Sequence, residues 1–376
     1  MTSTSRTPAV VEDLDRSIAA AEAQAIVVWR GERIRFGDLP DRIGRIDDRA
    51  ERGRLFDAYL EALEALNPLY QERLERWTAG GDLAARREGT DPHALVADLE
   101  RFVLHSETPY YAALRRYLAL IDIEQGDAIV ADLWHIARGG GWAHWFGDRQ
   151  VRRAVAAAGR GAVERADLDG WLAAERMLQG EPMEGGAGNA AAMDAAYATL
   201  VGSPEWLELE LGITADEVVP FVDFAAFVRL WRLRRAIGEL QYELRLYESP
   251  DPTLSRAYYS GILTHITGVS VPEAAHLQAI PSPFASAREL EVAILAADLV
   301  ETLESRWGAT WWREAEATDL AAAFGAAPTI EDALAQLGYD ALDWRPVLRQ
   351  IRTRLIGEMS GYGGPNITTR AGTRKV

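Results

Sequence analysis

Apolar residues recur at steps of three and four along most of the chain, which is the spacing of an amphipathic α-helix. The strongest stripes predict long helices over about residues 52–77, 221–248 and 286–307. Each stripe would place one face of its helix in a core. The stripes consist of Leu55, Tyr59, Leu63, Leu66, Tyr70, Leu74 and Trp77; of Leu230, Leu233, Ile237, Leu240, Leu244 and Tyr247; and of Val292, Leu295, Leu299, Leu303 and Trp307.

Four residues mark where these helices bend, begin or end. Pro68 falls inside the first helix, and we expect it to kink that helix or split it in two. Ser286 and Glu289 have the spacing of a capping box, which predicts the start of the third helix. Gly308 follows the last apolar residue of the third stripe and predicts the C-terminal end of that helix.

Strand signals are sparse. Residues 25–36 combine a β-branched run, an Arg-Gly turn and an alternating arm, which predicts one small hairpin. The rest of the chain reads as helices and connectors. The sequence therefore predicts an all-α fold that is mainly helical, with at most this hairpin near the N-terminus.

Composition excludes several classes of function. The chain has 376 residues, of which 48% are apolar, and a formal net charge of −17. This charge argues against nucleic acid as a partner, because phosphate binding needs a basic face. The chain has no cysteine and its one lysine is Lys375, which excludes disulfides, thiolate nucleophiles and a Schiff-base lysine in the folded body. Since neither an apolar membrane span nor a signal-peptide layout is found, we expect no membrane partner and a cytoplasmic location.

Several segments resemble one family of metallopeptidases. The most specific is ESRWGATWWREAEATDLAAAFGAAPTIEDALAQLGYDALDWRPVL, and LWRLRRAIGELQYELRLYE and LSRAYYSGILTHITGVSVPEAAHL add to it. These segments resemble the oligoendopeptidase F and thimet oligopeptidase group of gluzincins. The resemblance runs in the same order along the chain, from about residue 45 to 355. The resemblance implies a truncated form of the two-lobed zincin-like fold, with a deep channel between two helical lobes.

The zinc-binding helix of that family is missing here. The family binds Zn²⁺ through His-Glu-x-x-His, in which two imidazoles four residues apart share one helix face. The six histidines of this chain include no two that lie three, four or five residues apart. We therefore expect that zinc is lost and that no cofactor is bound. The resemblance leaves Asp194 at the position of the family's third ligand, where relatives carry Glu, as a vestigial ligand position.

The chain between Val163 and Gly185 is much shorter than the family's active-site block, which predicts a deletion there. We expect the remaining residues to pack across the former active site as a short helix. The predicted organisation is a flexible N-terminus (1–20), an N-terminal helical lobe (21–164), the short replacement segment (165–188), a C-terminal helical lobe (189–357) and a disordered tail (358–376).

Two groups of aromatic residues are candidates for a binding surface. The stretch 134–148 concentrates tryptophans and two histidines around three glycines, which fits either a partner surface or a helix corner held by tryptophans. The pair at 258–259 resembles a family segment near the substrate channel, and core packing is the alternative. The candidate residues are Trp134, His135, Trp142, His144, Trp145, Tyr258 and Tyr259.

These observations favour a pseudoenzyme: a non-catalytic homologue of a zinc oligopeptidase that binds a peptide or a partner protein. One alternative is an enzyme of the metallopeptidase family with residual or altered hydrolase activity. Another is a structural pseudo-subunit of an active peptidase. Resemblance alone cannot choose between them, because one fold supports many functions.

Overall fold

The described part of the chain is helical apart from one hairpin, which confirms the predicted all-α class. It is seen in a computed structural model that describes residues 7–79, 83, 90–139, 188–212, 214–248 and 252–356. The elements are α1 (Thr7–Gln24), β1 (Ile26–Trp29), β2 (Glu32–Arg35), α2 (Leu39–Gly44), α3 (Arg49–Thr78), α4 (Pro92–Ala119), α5 (Val130–Gly139), α6 (Asn189–Ala198), α7 (Pro204–Leu211), α8 (Ala215–Glu248), α9 (Pro252–Thr267), α10 (Ala285–Trp307), α11 (Ala315–Gly325), α12 (Ile330–Leu337) and α13 (Arg345–Arg352).

The hairpin forms where the sequence predicts it. β1 and β2 pair antiparallel, with Ile26 opposite Arg35 and Trp29 opposite Glu32. The two turn residues, Arg30 and Gly31, have φ values of 51° and 84°. Positive φ at both central residues is what a two-residue hairpin with the twist of its strands requires.

The first predicted helix is α3, which continues through Pro68 as one element. Asp48 caps its N-terminus, since the carboxylate accepts a hydrogen bond from the backbone N–H of Glu51 at 2.6 Å. The apolar stripe of α3 is buried from Leu55 to Leu74. α3 is therefore unsplit, and its predicted face lies in the core.

The second predicted helix, α8, is the central element of the fold. It packs against α4, α9 and α10. Its predicted stripe is buried from Leu230 to Leu244, and so are charged side chains on its other faces. A helix covered on several sides must satisfy these charges internally. The buried charged residues of α8 are Asp223, Arg232, Arg234, Glu239 and Glu243.

The third predicted helix, α10, ends at Gly308 as expected, where φ is 80°. The predicted capping box at its start is wrong. The cap residue is Phe284, with φ of 55°, and its backbone N–H donates to the buried carboxylate of Glu243. Ser286 lies inside the helix, and Glu289 instead pairs with Arg232 at 2.8 Å.

The N-terminal region contains a packed helix. α1 covers Thr7–Gln24 and packs against α3, with Leu14 and Ile18 buried. These two residues are four apart and so share one helix face. The tail 358–376 lies outside the described residues, as does the replacement segment up to residue 187. No helix in the described ranges is both long and apolar enough to cross a membrane.

The described residues form two apolar cores. The larger contains residues of α1 to α5, most of α8, and parts of α9, α10 and α13. The smaller contains residues of α6, α7, α11 and α12, together with the start of α8 and the C-terminal half of α10. The candidate site lies in the larger core.

Candidate functional site

A cavity of about 50 Å³ lies between α3, α5, α8 and α9. A cavity needs roughly 10–15 Å³ to hold one water molecule, so this one has room for several waters or for an aliphatic side chain. Its lining is mostly apolar and aromatic. The lining residues are Phe56, Tyr59, Val130, Trp134, Trp231, Arg235, Tyr259, Leu263, Thr267, Val269, Val271, Pro272, Ala275 and Gln278.

The cavity has a closed floor and a mouth. The floor residues are each only 1% exposed, whereas the mouth residues are partly exposed. A group entering from solvent would therefore pass the mouth and end at a floor of two aliphatic and two hydroxyl-bearing side chains. The floor consists of Tyr259, Leu263, Thr267 and Val269, and the mouth of Trp134, Arg235, Pro272, Ala275 and Gln278.

Arg235 is the one charged residue among the lining residues that the structure describes. Its Nε donates to Oε1 of Glu239, one helical turn further along α8, at 2.7 Å, and its side chain is 29% exposed. Its guanidinium lies 5.9 Å from the ring centroid of Trp231. Burial opposes its charge, but Glu239 and Tyr259 outweigh burial and raise the pKa of Arg235, so it remains a cation.

Hydroxyl and amide groups lie beside this cation. The hydroxyl of Tyr59 donates to Oε1 of Gln278 at 2.8 Å. Burial raises the pKa of Tyr59 to about 12 and also raises the pKa of Tyr259. Both phenols are therefore protonated at neutral pH and are available as hydrogen-bond donors.

The connector that follows α9 forms another wall of the cavity. A short parallel bridge joins it to the start of α5, through hydrogen bonds from Val130 N to Ser270 O at 3.1 Å and from Ser270 N to Ala128 O at 2.8 Å. The hydroxyl of Ser260 on α9 donates to Val271 O at 2.7 Å. These bonds satisfy the backbone of the connector while its apolar side chains face the cavity.

The C-terminal end of α9 is held by side chains from two other helices. Tyr110 on α4 donates to the carbonyl of Thr267 at 2.5 Å, and Nε of Arg234 on α8 donates to the carbonyl of Ile266 at 2.9 Å. The last carbonyls of a helix have no partner within it, and a cation there also complements the helix dipole. This arrangement fixes the position of the cavity floor.

The structure brings together two of the predicted binding residues. Trp134 lies at the mouth and Tyr259 on the floor, although they are 125 positions apart in the sequence. Trp134 meets the rings of Phe56 and Tyr59 edge-on, at centroid distances of 5.6 and 5.7 Å. Trp134 and Tyr259 therefore both pack in the core and line the cavity.

The other predicted residues are not part of the cavity lining. His135 is buried, and its Nδ1 lies 2.9 Å from the carbonyl oxygen of Gly44, so it ties α5 to α2. Tyr258 is 42% exposed on the outer side of α9. Asp194 is exposed on α6, which packs against α10 and α11. Trp142, His144 and Trp145 lie outside the described residues.

The lining offers binding groups and few groups for proton transfer. Among the residues that the structure describes, no carboxylate or imidazole lines the cavity, and no group of three or more His, Cys, Asp or Glu side chains is placed to hold a metal ion. General acid–base catalysis usually depends on such side chains.

Sequence reasoning missed Arg235 and Gln278. The spacing of Arg235 and Glu239 by four residues is the one local signal, because it predicts an ion pair on a helix face. That spacing does not show that the pair faces a cavity. Gln278 lies in a connector with no motif around it.

Comparison of the chain with family models, with curated proteins and with solved structures gave no match. The similarity to the oligoendopeptidase group therefore stays an expectation based on the quoted segments.

Proposed function

We propose that this protein is a non-catalytic binding protein whose cavity receives one apolar side chain of a peptide or of a partner protein. The observation that carries the proposal is an aromatic, partly open cavity with a closed floor that includes Leu263 and Val269, and with polar groups at its mouth. In ligand sites, apolar walls supply affinity and a few polar groups supply orientation, and this cavity combines both.

The size of the cavity favours a single side chain over a larger ligand. At about 50 Å³ it is too small for a drug-sized molecule. An aliphatic side chain that fills it would leave water and bury apolar surface, at roughly 25 cal/mol for each Å². A longer peptide would then be anchored at one residue and lie across the mouth.

A pair of substitutions tests the proposal. Ala275 lies at the mouth, and Ala279 is equally half-buried four residues later but does not line the cavity. We expect Ala275→Phe to block the cavity and weaken binding of leucine-containing tetrapeptides about tenfold or more. Ala279→Phe is the matched control and should bind like the unchanged protein. Calorimetry measures the affinity.

The same samples separate the alternatives. Intact peptides after long incubation, shown by mass spectrometry, would support a binding protein. Cleavage by the purified protein would instead favour the hydrolase alternative. Equal affinities of the Ala275→Phe and unchanged proteins would contradict the cavity as the binding site. Tight association with an active peptidase, without peptide binding, would favour the pseudo-subunit alternative.

A further inference from the structure

We infer that the cavity recognises a free carboxylate next to an apolar group, and that Arg235 binds this carboxylate, so that a peptide is held by its C-terminal residue. This inference rests on the proposed function, because it names the chemical class of the ligand that the same cavity takes. The argument depends on which atoms of Arg235 are already used and on what surrounds the remaining ones.

The guanidinium of Arg235 has donors to spare. Its Nε donates to Glu239 at 2.7 Å, and the hydroxyl of Tyr259 also hydrogen-bonds the guanidinium. A guanidinium has five N–H donors in a fixed plane, and the terminal pair matches the two oxygens of a carboxylate. Glu239 and Tyr259 therefore orient Arg235, and the remaining N–H donors of its terminal nitrogens can bind a ligand.

The charges around Arg235 are arranged so that it is the cation at the mouth. On the same face of α8, Arg232 forms an ion pair with Glu289 of α10 at 2.8 Å. Burial raises the pKa of the Glu239 carboxyl group. The nearby cation of Arg235 lowers this pKa, but by less than burial raises it. The two remaining polar neighbours, Tyr59 and Tyr259, are protonated phenols, so they do not repel an anion.

Two further donors complete the recognition of a carboxylate. The hydroxyl oxygen of Tyr259 hydrogen-bonds the guanidinium of Arg235, so its own proton can be donated to a carboxylate oxygen bound there. Gln278 accepts from Tyr59 through Oε1, which leaves its Nε2 amide as a donor at the mouth. Leu263 and Val269 supply the apolar part of the floor. A C-terminal leucine fits this order, since its side chain and its carboxylate leave the same carbon atom.

The test compares two synthetic tetrapeptides of identical sequence, N-acetylated and ending in leucine, one with a free C-terminal carboxylate and the other with an amide. We expect the acid to bind about tenfold or more tightly than the amide, because a hydrogen-bonded charge is lost in the amide. The small acid 4-methylpentanoate should compete with the peptide, since it carries the same carboxylate and apolar group.

Variants assign the effect to Arg235. Arg235→Met should abolish the preference for the acid, and Arg245→Met, on the exposed face of the same helix, should keep it. Since Arg235→Met leaves Glu239 without its partner, Arg235→Lys provides a second variant that keeps the charge but not the planar fork, and it should reduce the preference. Equal affinities for acid and amide would overturn the inference and leave the proposed function intact. Absence of binding by both peptides would overturn both.

Discussion

Arg52 on α3 and Asp132 on α5 form a buried ion pair, with Nη2 donating to Oδ1 at 2.9 Å. The two side chains are 2% and 0% exposed. The other oxygen of Asp132 accepts from the backbone N–H of Ile129 at 3.0 Å. This pair joins the helix that carries Tyr59 to the helix that carries Trp134, so it holds two walls of the cavity together.

Breaking this pair from one side should be strongly destabilising. Asp132→Asn leaves the Arg52 cation buried without a counter-charge, and we expect the free energy of unfolding to fall by about 3–5 kcal/mol. Urea denaturation measures the loss. The double variant Arg52→Met, Asp132→Leu should lose less than the sum of the single variants, because no charge remains buried. A loss below about 1 kcal/mol for Asp132→Asn would contradict the pairing.

Truncation of the α8 core face should also be costly. Leu240 is 0% exposed, and Leu240→Ala should lower the free energy of unfolding by about 2–5 kcal/mol through lost burial and a new cavity. Leu104 on α4 is 67% exposed and provides the control. Leu104→Ala should change stability by no more than about 0.5 kcal/mol. Similar losses of stability in the two variants would contradict the placement of Leu240 in the core.

Two glycines near the cavity should respond in opposite directions to alanine. Gly268 has φ of +69°, and a Cβ there would lie 2.5 Å from Cε1 of Tyr111. Gly268→Ala should therefore destabilise the protein by about 1–3 kcal/mol. Gly261, inside α9, has open space around it, and Gly261→Ala should stabilise the helix by about 0.5–1 kcal/mol. Thermal denaturation of the two variants checks the signs.

Asp298 on α10 should make stability depend on pH. It is 0% exposed, and neither carboxylate oxygen has a hydrogen-bond partner in the described part of the chain. Burial, together with Asp343 and Glu301, raises the pKa of Asp298 from 3.8 to about 8. The folded state therefore holds a proton that the unfolded state releases, so the contribution of Asp298 to stability falls as pH rises from about 4 to about 8.

Asp298→Asn removes this titration. We expect the variant to be more stable than the unchanged protein by at least about 1 kcal/mol above pH 8, and the difference to shrink as pH falls towards 4. Chemical denaturation across this range measures it. Asp319→Asn, at an exposed position on α11, is the control. A difference that grows on acidification would contradict the buried, protonated state.

The helices could be predicted because their signal is local. Stripes such as Leu55 to Leu74 follow the period of the helix itself, so they identify both the element and its buried face. The capping box at Ser286 failed for a tertiary reason. The carboxylate of Glu243, on another helix, binds the backbone N–H of Phe284, and the helix begins at Ala285.

The candidate site could be predicted only in part. Trp134 and Tyr259 are large aromatic residues, a type that is enriched at binding sites, so the sequence alone can suggest them. Arg235 is one of many arginines in the chain, and only the convergence of α3, α5, α8 and α9 around the cavity places it at the mouth. Such a convergence depends on contacts between distant segments, which periodicity does not encode.

The two cores share α8 and α10, and this affects how the protein unfolds. Each of these two helices has one end in each core. Unfolding of either core would remove apolar contacts from a helix that also packs in the other core. We therefore expect one cooperative unfolding transition, with the slowest hydrogen exchange of the chain at backbone amides in the middle of the two shared helices.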